Sequence, residues 1–148
     1  MNIADELSIP GKLERVYSSL IDPEILKLCI PGCEELEKIS EFEYTAKVVL
    51  KIGPVKAKFS GNVTLDTKGA PMNLSLEGAG DGGLAGFAKG GADVELIDQG
   101  DKTTLRYSAK AETGGKIAQL GARLIESTAK KLAKKFFGNF EKIMLAEE

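Results

Sequence analysis

The chain has 148 residues, 43% of them hydrophobic, enough for one sizeable core, so a single domain over 1–148 is expected. A formal net charge of −2 gives no general attraction to nucleic acid. The sequence contains no histidine, the commonest neutral-pH proton carrier and metal ligand, and so points to a container or adaptor before a catalyst.

Asn2 to Ile9 predicts a first strand, broken by Pro10-Gly11. Lys12 to Leu20 reads as a short helix with Leu13, Val16, Tyr17 and Leu20 on one face. Asp22 and Pro23 supply an N-cap and a first-position proline for a second short helix, Glu24 to Leu28, which ends before Pro31-Gly32. From Cys33 to Thr113 the apolar period becomes two. Tyr44, Ala46, Val48, Leu50 and Ile52 alternate with polar residues, as do Val55, Ala57, Phe59, Val63 and Leu65. Leu74 and Leu76 follow, then Ala92, Val94 and Leu96, then Leu105, Tyr107, Ala109 and Ala111. Such alternation means an antiparallel sheet with one wet and one covered face. Gly53-Pro54, Lys68 to Pro71, Gly82-Gly83 and Gln99 to Asp101 provide the turns. Gly114 to Met144 then reads as one long amphipathic helix, its stripe running through Ile117, Leu120, Leu124, Thr128, Leu132, Phe136, Phe140 and Ile143.

One strand, two short helices, six strands and one long helix predict an α+β helix-grip fold. In it a curved antiparallel sheet of about seven strands wraps around the C-terminal helix. The inner face carries small residues: Ala46, Ala57, Gly61, Gly78, Ala92, Ala109 and Ala111. They mean either close approach of the helix or unfilled space, and unfilled space would be a ligand cavity. Tyr44, Val48, Phe59, Leu76, Phe87, Tyr107, Ile117, Leu120, Leu124 and Thr128 are its candidate walls. The hydroxyls of Tyr44 and Tyr107 could orient a carbonyl-bearing ligand or simply fill the core.

Several stretches imitate chemistry. Gly78 to Gly83 has dinucleotide-loop spacing, but no helix follows it, which makes it a hairpin. Thr113 to Lys116 opens a helix yet lacks the glycine and hydroxyl of a phosphate loop. Cys29 and Cys33 are two ligands where zinc takes four, and read as small buried hydrophobes or a redox or ligand contact. No nucleophile–base pair assembles, so neither catalytic nor metal residues are expected. Lys130, Lys131, Lys134 and Lys135, with Phe137 beside them, form a basic helix face. It is a solvated surface, or one that meets an anionic partner or a headgroup layer. No run of about 18 apolar residues exists to span a membrane. Asp5 and Glu6 stand where a signal peptide would be positive, which points to the cytoplasm.

Leu28-Cys29-Ile30-Pro31-Gly32-Cys33-Glu34 resembles the signature of the G-subunit family of carbon monoxide dehydrogenase. Gly53 to Gly61, Gly86 to Gly90 and Gly115 to Gly121 resemble further stretches of that family, so the likeness covers nearly the whole chain. The family belongs to a lipid-transfer-like superfamily with pollen allergens, polyketide cyclases and steroid-binding domains. The resemblance therefore implies the helix-grip fold and a hydrophobic cavity, with no catalytic motif to carry over. It implies an accessory protein serving a molybdenum hydroxylase, at the inner face of the membrane, with a lipid or quinone in the cavity and no required cofactor. A cyclase- or hydratase-like enzyme using the same cavity, and an assembly factor with a filled core, are the alternatives.

Overall fold

The computed structural model describes residues 1–147. Its order is β1 (Asn2–Pro10), α1 (Leu13–Leu20), α2 (Pro23–Cys29), β2 (Cys33–Ser40), β3 (Glu43–Ile52), β4 (Val55–Asp66), β5 (Asn73–Asp81), β6 (Phe87–Asp98), β7 (Lys102–Gly114) and α3 (Ala122–Ala146). The seven strands form one antiparallel sheet in the order β1-β7-β6-β5-β4-β3-β2. The chain is thus a meander from β2 to β7, with β1 added beside β7. The sheet curves, and α3 lies across its concave side: this is the helix-grip fold.

Local chemistry accounts for the elements. Asp22 caps α2 by accepting from the Glu24 amide at 2.9 Å, and Pro23 occupies the first helical position, where its missing N–H costs nothing. Tight turns join β3 to β4 and β6 to β7, so neighbours in sequence are neighbours in the sheet.

The long helix differs from expectation at its start. It begins at Ala122, and Gly115–Leu120 forms a 3-10 segment between β7 and α3. Gly115 (φ 74°) and Gly121 (φ 96°) adopt the left-handed backbone that glycine takes without a Cβ penalty, and each breaks the helical run. The apolar spacing of Ile117, Leu120 and Leu124 crosses this break unaltered, which is why the sequence reads as one helix.

Two hydrophobic clusters result. The larger joins β1, α1, α2, the sheet centre and the C-terminal half of α3 around Ile9, Val16, Tyr44, Leu105, Phe140 and Met144. The smaller gathers Ile52, Phe59, Ala85 and Ile117, with Leu120, Leu124 and Ile125 packed against it, at the other end. The C-terminal half of α3 is tied down by polar contacts. Arg15 Nη2 donates to the Met144 carbonyl (2.6 Å), and Asn139 Nδ2 donates to the Cys29 carbonyl (3.2 Å). Beneath them the buried Thr103 hydroxyl donates to the Gly11 carbonyl at 2.9 Å.

Candidate functional site

Between the sheet centre and the C-terminal half of α3 lies an apolar hollow of about 310 Å³. Its floor comes from the inner face of the sheet: Val63 and Leu65 on β4, Leu74 and Leu76 on β5, Ala92 and Val94 on β6, Leu105, Tyr107 and Ala109 on β7. Its roof is Ala133, Phe136 and Phe137 of α3, and α1 and α2 close one side through Leu20 and Leu26. The three rings of α3 form an aromatic layer. Phe136 meets Phe137 edge-on, with centroids 5.0 Å apart, and stacks with Phe140 at 6.4 Å. Phe137 in turn stacks on Tyr107 at 5.1 Å.

Small side chains make room for this space, but not all of those on the inner face do so. Ala92 and Ala109 line the hollow. Gly61 and Gly90 serve close strand approach instead, since a Cβ there would stand 2.7 Å and 2.1 Å from backbone oxygens of the neighbouring strands.

Among the described residues, the only polar side chains on the wall are the two tyrosines, and they differ. Tyr44 is buried and its hydroxyl donates to the Ile21 carbonyl, so its polar end is already used. Burial pushes its pKa up, with the Asp22 charge adding to the effect. Tyr107 pairs with Asp5 across β1 and β7 and is only partly buried. Its pKa is also raised, first by burial and then by the Asp5 carboxylate.

Of the ten candidate wall residues, Tyr44, Leu76 and Tyr107 border the hollow. Phe59 and Ile117 are buried in the smaller cluster, and the partly buried Leu120 and Leu124 pack against it. Val48 shares the inner face but pairs with Phe59, away from the hollow. Thr128 is half-buried, and its hydroxyl donates to the Leu124 carbonyl at 2.8 Å within the helix. Phe87 is 47% exposed, because it lies an odd number of residues from Val94 and so points to the outer face. The four lysines, Lys130, Lys131, Lys134 and Lys135, are exposed as expected of a basic face. Phe137 is not with them: it turns inward to form the roof. The cue that sequence reasoning missed is the run Ala133, Phe136, Phe137, Phe140, spaced by three and four, which sets the buried stripe once the helix starts at Ala122.

Cys29 is fully buried at the end of α2, and burial pushes its thiol up to about 11. Cys33 is partly buried and donates to the Glu35 carbonyl at 3.3 Å. Both thiols stay protonated at neutral pH, which suits packing and not nucleophilic chemistry. Among the described residues no group of three or more acidic or cysteine side chains converges as a metal site would require, and no helix is long and apolar enough to cross a membrane.

A model of the CoxG family, described as the G subunit of carbon monoxide dehydrogenase, matches residues 6–144. A conserved protein from Geobacillus kaustophilus is 33% identical, with 99% of this chain and 96% of that one covered and a TM-score of 0.91. A START superfamily protein from Mycobacterium smegmatis shares 11% identity over 99% of both chains, at a TM-score of 0.78. An aromatase/cyclase from a Streptomyces species shares 9% identity over 97% of this chain and 93% of that one, at a TM-score of 0.70. At such identities the last two show the shared fold alone. No curated protein sequence matches the chain significantly. The chain belongs to the CoxG family.

Proposed function

We propose, from membership of the CoxG family, that this protein is a non-catalytic accessory that carries an apolar small molecule beneath α3. The cargo is a lipid or a quinone, and the protein serves a molybdenum hydroxylase at the inner face of the membrane. The observation that carries the reading is the hollow itself. Protein interiors leave few voids larger than a water molecule. A space of about 310 Å³ lined almost wholly by apolar side chains is far larger than such voids. An apolar space of that size suits an apolar occupant. The lining supports binding over catalysis, since turnover needs positioned acids or bases and the walls offer two tyrosines. The exposed lysines of α3 give an outward positive stripe suited to an acidic partner or anionic headgroups.

Organic extraction of the purified protein followed by mass spectrometry tests this reading. A stoichiometric lipid or quinone is the expected result. An empty extract, with no thermal shift on adding naphthoquinone or fatty acid, would sink it.

A further inference from the structure

A second depression, about 650 Å³ and open to solvent, runs between β1 and α3. Its walls carry Asp5, Lys130, Lys134 and Glu141. Four residues, Ile3, Tyr107, Ala133 and Phe137, line both this groove and the apolar hollow. Among the described residues they form the partition between the two spaces. Its centre is the Phe137 ring lying on Tyr107, with centroids 5.1 Å apart and planes 24° apart. On the α1 and α2 side, α3 is held by hydrogen bonds from Arg15 and Asn139. On the β1 side, only side-chain packing closes the gap among the described residues. Turning one ring there breaks no backbone hydrogen bond.

Chemistry at the partition also selects a ligand. Tyr44 spends its hydroxyl on Ile21, which leaves Tyr107, among the described residues, as the one donor on the hollow's wall able to meet a guest. The groove beyond it holds two carboxylates and two ammonium groups, of which Lys130 already faces Glu126 at 3.8 Å. With no net sign, and with Asp5 opposite Tyr107, the site favours a neutral acceptor over an ionic head. Size sets a further limit. A hollow of about 150 Å³ admits benzene, so about 310 Å³ suits a fused two-ring body.

We infer that ligands reach the hollow through the β1–α3 groove past Phe137, and that Tyr107 donates a hydrogen bond to a neutral carbonyl of a guest about two fused rings in size. Any longer tail then lies out along the groove. This rests on the carrier reading above and adds route, polarity and size to it.

Two probes of the same shape test it: 2-methyl-1,4-naphthoquinone and its carbonyl-free counterpart 2-methylnaphthalene. In Tyr107→Phe the hydrocarbon binds as in the wild type, while the quinone loses about five-fold in affinity, the worth of one ordinary hydrogen bond. Gly138 borders the groove, and a Cβ built on it meets nothing within 4 Å. Gly138→Leu therefore narrows the route without touching the hollow, and a better helix former at that position keeps the fold. It slows uptake and release of both probes together and leaves their affinities in place, whereas Gly138→Ala leaves the rates as they are. An unchanged quinone-to-hydrocarbon affinity ratio in Tyr107→Phe, or unchanged rates in Gly138→Leu, overturns the inference and leaves the carrier reading standing. If neither probe binds the wild type while extraction still yields a lipid, this inference falls and the carrier reading stands; an empty extract with no shift from fatty acid either takes both.

Discussion

The two ends of the space beneath the C-terminal segment are built from similar residues to opposite effect. At one end the Phe59 ring, Ile52 and Ile117 close on one another, and Leu124 covers the Gly53 turn. At the other, Phe136 and Phe137 of α3 roof a hollow on whose floor Ala92 and Ala109 replace bulk. Hydrophobic composition alone does not distinguish these outcomes. What differs is whether small residues face the aromatic layer or face another strand's backbone.

Substitutions can break this contrast or sharpen it. The largest effect is expected for Ile117→Ala, which empties a 1%-exposed site in the solid end and should lose about 2–5 kcal/mol in denaturant unfolding. Leu76→Ala, which borders space already present, should lose less. Equal losses would mean that the two ends are packed alike. Next comes filling. Ala85→Leu in the solid end should overpack and cost about 1–3 kcal/mol. Ala109→Leu, facing the hollow, should stay within about 1 kcal/mol of the wild type and abolish 2-methylnaphthalene binding by calorimetry.

The smallest effect concerns alkaline pH. The hollow end contains Cys29, Tyr17, Tyr44 and Tyr107, whose pKa values burial raises, whereas no member of the solid cluster titrates. A raised pKa means that the folded state prefers the neutral form. The associated stability is therefore complete below the ordinary thiol value and fades as pH climbs toward about 11, the value to which Cys29 is pushed. Unfolding free energy measured against pH should decline over that window, and Cys29→Ala should flatten the lower part of the decline. An equal decline in Cys29→Ala would remove the thiol from the explanation.

Much of this architecture was legible in the sequence. Alternation along β3 to β7 identifies the inner face, and Asp22-Pro23 fixes the start of α2 closely. The same alternation, counted from Val94, would have placed Phe87 outside. The location of the cavity was not legible. It depends on where α3 starts, and Gly121 interrupts a stripe whose apolar spacing continues through a different helix type. Leu120 and Leu124 pack with the smaller core, and Phe137, four residues after Ala133 and one after Phe136, widens the buried stripe to form the roof. Tyr44 and Tyr107 look alike in sequence, and only Ile21, folded back over one of them, makes them unlike.

The strand order leaves β1 and β2 as the two unjoined margins of the sheet. A barrel sealed by a full ladder could admit nothing without tearing amide pairs. Here the seam is upholstered with side chains, so it can gape and reseal while every rung of the ladder stays fastened.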